Sequence, residues 1–158
     1  MTIFRNSDQL NQALLPRGRF LGLDVGTKRI GLAISDESRF IATPKLIINR
    51  LSNLKDFEKI KKFIEENLAV GIVIGRPVNM DGSQIAMTEF CERFAKNLDD
   101  FLENKFPIFL FEERLSSFSA REANVSELSR KKNKFVDDIA ASFILQHFLD
   151  DAAQMNRS

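Results

Sequence analysis

The order of apolar and polar positions predicts three closely spaced strands at the start of the folded region. They cover residues 20–25, 30–35 and 40–48 and are separated by short polar turns. Connections this short join antiparallel strands, because a parallel crossover needs a dozen or more residues. The first part of the fold is therefore predicted to be an antiparallel meander.

After residue 50 the pattern changes to helices that alternate with continuously apolar strands. Helical spacing covers 54–68 and 83–101, and apolar runs cover 70–75 and 107–111. Two further helical segments are expected around 118–124 and 135–150. Together these elements predict an α/β fold, with a mixed five-stranded sheet of three antiparallel strands and then two parallel ones, flanked by helices.

The length of 158 residues fits one domain with a sizeable core. Residues 1–18 are mostly polar and are interpreted as an N-terminal extension. Residues 19–151 are interpreted as the single domain, and residues 152–158 as a flexible C-terminal tail.

Composition excludes several classes of protein. A formal net charge of +1 argues against binding of nucleic acid by bulk charge, so such a partner needs a local basic patch. The single cysteine, Cys91, excludes an intramolecular disulfide and a cysteine-rich zinc site. No apolar run approaches the ~20 residues that span a bilayer, and the N-terminus lacks the apolar segment of a signal peptide. A cytoplasmic protein without membrane contact is expected.

Acidic residues fall where three predicted elements end or begin. They are Asp24 in the first strand, Glu112 and Glu113 after the fifth, and Asp137 and Asp138 at the start of the last helix. Asp24 either bonds to the following turn or binds a cation, since a buried unpaired carboxylate is costly. Strand alternation leaves the choice between the two glutamates open, and acids in a first helical turn also complement the helix dipole. Carboxylates that meet at one sheet edge fit magnesium-dependent phosphoryl transfer, in which two ions activate water and stabilise the leaving oxygen.

Four sequence motifs follow one another in order and at suitable spacing. They are LDVGTKRIG (23–31), IGRPVNMDGS (74–83), EERLSS (112–117) and VDDIAA (136–141). They resemble the YqgF family of bacterial RNase H-like proteins, described as Holliday-junction-resolvase-like and as nucleases of pre-16S ribosomal RNA. The chain departs from the family pattern at Glu112, where Asp is usual, and at Arg76, where an aliphatic residue is common.

The resemblance implies an RNase H-like fold and a divalent-metal-dependent phosphodiester hydrolase. By position it implies that Asp24, Glu113 and Asp137 are the catalytic carboxylates and the metal ligands, with Mg²⁺ or Mn²⁺ as the cofactor and two ions expected. It thereby selects Glu113 over Glu112.

Five basic residues lie close in sequence to these carboxylates: Lys28, Arg114, Arg130, Lys131 and Lys132. They can neutralise the scissile or flanking phosphates, or they can be ordinary surface charge. Binding of the phosphate backbone by the basic run before Asp137 would make affinity fall steeply with salt.

The leading hypothesis is an endonuclease of structured RNA that processes the 5′ end of pre-16S rRNA in ribosome biogenesis, with the small-subunit precursor as partner. One alternative is a Holliday junction resolvase acting on four-way, branched DNA, which generally needs a symmetric dimer. Another is a non-catalytic nucleic-acid-binding module. Residues 24–31 also resemble the first phosphate motif of actin-like kinases and ATPases. Those proteins close a cleft between two such domains, whereas this chain is predicted to have one. Monomer and homodimer are both left open.

Overall fold

The computed structural model describes residues 3–4, 17–77, 82–113 and 136–155. The described elements are, in chain order, β1 (Ile3–Phe4), β2 (Arg19–Val25), β3 (Arg29–Ser35), β4 (Ala42–Asn49), α1 (Asn53–Asn67), β5 (Ala69–Pro77), α2 (Gly82–Phe101), β6 (Ile108–Glu113) and α3 (Val136–Met155). No described helix has the length and apolar character needed to cross a membrane. The helix predicted around 118–124 lies outside the described residues.

The strands form one mixed sheet in the order β1-β6-β5-β2-β3-β4. β2, β3 and β4 pair antiparallel, whereas β5 and β6 run parallel to β2. This confirms the predicted order of three antiparallel strands and then two parallel ones. A sixth strand, β1, pairs parallel with β6, so Ile3–Phe4 join the sheet edge although they belong to the predicted extension. Two residues are too few to show a periodic pattern.

Each face of the sheet is covered by its own apolar layer. On one face, Leu21 and Leu23 of β2 are fully buried beneath α1 and α2. On the other, the rings of Phe20 and Phe109 lie 5.8 Å and 5.1 Å from the ring of Phe148 in α3. Alternation along β2 therefore puts Phe20, Gly22 and Asp24 on the α3 face.

Two helices differ in detail from the sequence prediction. The helical spacing over 54–68 predicts Leu54 and Leu68 in one buried row with Phe57, Ile60 and Ile64. Leu54 is instead exposed, and Leu68 is an exposed cap residue that follows α1. In α3, the helix extends to Met155 and buries Ala152, so the tail predicted from residue 152 is wrong for its first four residues. Ala152 follows Phe148 by one turn, and the same apolar layer holds both.

β4 is one edge of the sheet in the described part of the chain, and most of its residues are exposed. Its pairing with β3 is irregular: Leu32 pairs with Leu46 but Ala33 pairs with Pro44, which leaves Lys45 as an extra residue in β4. The strand thus carries a bulge at its edge.

Helix α3 approaches the sheet closely over glycine. A Cβ atom on Gly22 would lie 2.7 Å from Cβ of Leu145 and 3.0 Å from the backbone oxygen of Ala141. Phe20, two residues earlier in β2, contacts Phe148, which lies later in α3. The amino-terminal end of α3 therefore points toward the carboxyl end of β2.

Replacing Gly22 with alanine is expected to lower the free energy of unfolding by about 1–3 kcal/mol, because the new methyl group meets helix backbone that cannot rotate away. Gly75→Ala is the matched control. Its Cβ would lie 2.5 Å from Cδ1 and 2.9 Å from Cγ1 of Ile144, so it meets side-chain atoms of α3 rather than helix backbone. Urea denaturation measures the free energy of unfolding of both variants. An equal or smaller loss in Gly22→Ala than in Gly75→Ala would show that α3 can shift to accommodate the methyl group.

Candidate active site

The carboxyl ends of the parallel strands meet at one end of the sheet. Leu23 of β2 pairs with Ile74 of β5, which pairs in turn with Leu110 of β6. Asp24 is the next residue of β2, and Glu113 is the last residue of β6. Both predicted carboxylate positions therefore lie at this end, with β5 between them.

Helix α3 brings the third position to the same end. Asp137 is the second residue of α3 and lies one turn before Ala141, which packs over Gly22. Asp24 lies two residues beyond Gly22 in the direction in which α3 begins. Four helical residues advance about 6 Å and two strand residues about 6.6 Å, so the backbones of Asp24 and Asp137 come to the same level.

Of these three residues, the structure describes the side chain of Asp24 alone. That side chain is half-buried. The described side chains contain no group of three metal-ligating residues. The convergence of Glu113 and Asp137 on Asp24 therefore stays a prediction, supported by the backbone positions of their elements.

The turn after Asp24 is tight and depends on Gly26. The Gly26 N–H donates a hydrogen bond of 2.8 Å to the carbonyl oxygen of Arg29. A Cβ on Gly26 would lie 2.9 Å from that same oxygen. The tight turn thus begins two residues after Asp24, and Lys28 is exposed in the turn.

Arg50, which the sequence analysis did not single out, holds this turn. Its Nη1 donates to the carbonyl oxygen of Gly26 at 3.3 Å, and its Nη2 donates to Oδ1 of Asn53 at 2.6 Å. Its Nε lies 3.2 Å from Oδ2 of Asp56, a fully buried carboxylate. The sequence signal for Arg50 was Asp56 itself, because an acid in the apolar row of a helix requires a partner.

Aromatic rings cover the Arg50 guanidinium on the side of α2. Its Cζ lies 5.6 Å from the ring centroid of Phe90 and 5.4 Å from that of Phe94. These are cation–π distances. Arg50 therefore connects the turn after Asp24 to both α1 and α2.

Glu112 is paired with a basic residue of the neighbouring strand. Arg76 of β5 donates from Nη1 to Oε1 of Glu112 at 2.7 Å, and its Nη2 lies 3.2 Å from Oε1 of Glu92 in α2. The two residues that depart from the family pattern are thus partners of each other. This pairing gives Glu112 a role of its own and supports the choice of Glu113.

Cys91 lies buried near the same end of the sheet. Burial, and secondarily the negative charge of Asp24, raises the pKa of its thiol to about 12. The thiol is therefore protonated at neutral pH. His147, the single histidine of the chain, lies ten residues beyond Asp137 in α3, about 15 Å along the helix. The three predicted ligands, Asp24, Glu113 and Asp137, would all donate carboxylate oxygens, which suit hard cations such as Mg²⁺ or Mn²⁺.

Cys91 is expected to resist thiol reagents in the folded protein. At pH 8 a thiol with a pKa of about 12 is about 10⁻⁴ ionised, so labelling should be at least about 1,000-fold slower than in urea-unfolded protein. The absorbance of a chromogenic disulfide reagent follows both rates. Rapid stoichiometric labelling of the folded chain would show that Cys91 is ionised or accessible.

The structure describes one of the five predicted substrate-binding residues, Lys28. It lies four residues after Asp24 and is exposed. The other four, Arg114, Arg130, Lys131 and Lys132, lie outside the described residues. Their contact with substrate stays a prediction.

Comparisons with known sequences cover most of the chain but differ in the substrate that they name. A sequence-family model described as "RuvX: Holliday junction resolvase" matches residues 18–151. A protein of Rhodobacter capsulatus is 43% identical over 149 residues, which cover 92% of each chain. A protein of Paracoccus denitrificans is 36% identical over 158 residues, which cover 99% of each chain. Both carry the name "Putative pre-16S rRNA nuclease".

A solved structure shares the fold. It is RuvC of Thermus thermophilus in complex with a Holliday junction substrate, with a TM-score of 0.55 and 9% sequence identity. The match covers 88% of this chain and 96% of that chain. At this identity the likeness concerns the fold, and it confirms the expected RNase H-like architecture.

Proposed function

This chain belongs to the RuvX (YqgF) family of nucleases, and we propose that it is a divalent-metal-dependent endonuclease that processes the 5′ end of pre-16S rRNA. The observation that carries the proposal is the meeting of β2, β6 and α3 at one end of the sheet. Each of these elements contributes one acidic position there: Asp24, Glu113 and Asp137. A nuclease of pre-16S rRNA would act in the cytoplasm.

The oxygen donors of these three residues would hold the metal ions. When bound, two such ions activate a water and stabilise the leaving oxygen of a phosphodiester. The chain's own part is positioning: the short hairpin and the contact from Arg50 to Gly26 fix the end of β2. Lys28, at the tip of that hairpin, can neutralise a phosphate beside the reacting one.

The choice of RNA rests on the relatives. Chains 36–43% identical over most of their length are named for pre-16S rRNA. A four-way DNA junction is the second candidate, favoured by the description of the matching family model. Both substrates require the same hydrolysis and differ in shape.

A direct comparison of substrates tests the proposal. The full chain is incubated with a 16S precursor fragment that carries its 5′ leader, and separately with a four-way DNA junction, in Mg²⁺, in Mn²⁺ and in EDTA. We expect metal-dependent cleavage of the RNA near the mature 5′ end. Cleavage of the junction alone would replace the RNA assignment with junction resolution. Absence of cleavage of either would favour a binding module.

A further inference from the structure

Helix α1 carries three exposed lysines in one row over about two turns. Lys55, Lys59 and Lys62 are exposed and recur at i, i+4 and i+7, so they form one row along the helix, called here the lysine row. Glu58 and Glu65 lie on the neighbouring row, and Glu66, four residues after Lys62, ends the lysine row. A mixed row, alternating in sign, would be typical of a solvated helix face. The lysine row instead presents one sign of charge over two turns.

The lysine row borders an open groove of about 330 Å³ between α1 and β4. Residues 46–49 of β4 form one wall, and Lys59, Lys62 and Phe63 form the other. Glu66, at the far end of the groove, lies 3.8 Å from Lys62, and both side chains are largely exposed. An exposed pair of this kind contributes little and leaves Lys62 able to exchange partners.

The lysine row begins beside the candidate active site. The Arg50 N–H donates a hydrogen bond of 2.9 Å to the carbonyl oxygen of Lys28, and the Arg50 guanidinium binds Asn53, the first residue of α1. Arg50 therefore connects the hairpin that follows Asp24 to the amino-terminal end of α1. The lysine row thus starts two residues after Asn53, near the turn that carries Lys28.

We propose that the lysine row and its groove bind the phosphate backbone of a helical arm of the substrate that flanks the cleavage point. The lysine row extends over about 10 Å, which matches about three base-pair steps of 3.4 Å. Lysine is a point charge that contacts phosphate without reading sequence. A chain with a net charge of +1 needs such a local patch to hold nucleic acid. The inference rests on the proposed function and adds to it where the substrate extends from the site.

Two triple variants with equal loss of charge test the proposal. The first removes the lysine row and the second removes three exposed basic residues outside α1: K55Q/K59Q/K62Q and R93Q/K96Q/K105Q. Binding of a fluorescent RNA hairpin and of a four-way DNA junction is measured by anisotropy in EDTA, from 50 to 300 mM KCl. We expect the first variant to bind at least 10-fold more weakly at 100 mM KCl. The slope of log affinity against log salt concentration should become less steep by about 2–3, because each contact with a duplex phosphate contributes about 0.9 to its magnitude.

The control variant is expected to bind as wild type does. Equal losses in both variants would reduce the effect to net charge and overturn the proposal, as would unchanged binding in the first variant. Matching circular dichroism and thermal midpoints exclude misfolding. In single-turnover cleavage, the first variant should need more enzyme for half-maximal rate but reach the wild-type rate at saturation. Binding that depends on the lysine row without any cleavage by wild type would support the proposal and count against the endonuclease.

Discussion

Asp24→Asn is expected to abolish metal-dependent cleavage, with a loss of at least about 10³-fold. That factor corresponds to about 4 kcal/mol of transition-state stabilisation. The replacement keeps the shape of the half-buried side chain near the end of β2 but removes the negative charge that is proposed to bind a cation. Single-turnover cleavage of the 5′-leader RNA in Mg²⁺ measures the effect, and the thermal midpoint checks the fold.

Asp36→Asn is the matched control for this variant. Asp36 follows β3 at the opposite end of the sheet, where its Oδ1 accepts hydrogen bonds of 2.8 and 2.9 Å from the N–H groups of Phe40 and Ile41. These bonds lower the pKa of its carboxyl group and serve the local turn. Cleavage should persist in Asp36→Asn. Cleavage by Asp24→Asn at the wild-type rate would contradict the assignment of Asp24 as a metal ligand.

Arg50→Met is expected to lower the free energy of unfolding by about 3–5 kcal/mol, because it leaves the buried Asp56 carboxylate without its cation. One hydrogen bond to Asp56 would remain, from the N–H of Leu51 at 3.1 Å. For a domain of this size the loss corresponds to a fall in thermal midpoint of roughly 6–20 °C. Urea denaturation followed by circular dichroism gives the value directly.

Lys62→Met makes the same kind of change at an exposed pair and supplies the comparison. Lys62 and Glu66 lie 3.8 Å apart with both side chains largely in solvent. A change within about 0.5 kcal/mol is expected there. If the two variants lost equal stability, the Arg50–Asp56 pair would have no special part in the fold.

The sheet could be predicted largely because its signals are local. The runs at 20–25 and 30–35 are each long enough to show apolar character, and the short turn between them requires antiparallel pairing. β1 could not be predicted, because its two residues are strand only through the partner that β6 provides. The length of α3 was underestimated for a related reason, since Ala152 is buried by residues far away in the sequence.

The candidate site was likewise predictable from the sequence only in part. The position of Asp24 at a strand end followed from sequence, and so did the placement of the other acids at element boundaries. The hydrogen-bond and ion-pair partners of the residues at this end of the sheet did not follow from the sequence. Glu112 is held by Arg76, 36 residues earlier, and the role of Arg50 depends on Gly26 and Asp56 meeting in the fold. Pairings across strands and helices depend on register, which the pattern of one strand does not determine.

The edge strand β4 also bears on how the protein behaves at high concentration. An edge whose N–H and C=O groups face outward can recruit the strands of other chains and begin a cross-β aggregate. Here Pro44 has no N–H to offer, and the adjoining Lys45 adds a charge at a bulge. Both features make β4 a poor template for a further strand. The sheet is thus expected to end at β4 even in crowded solution, and fibril growth from this edge is disfavoured.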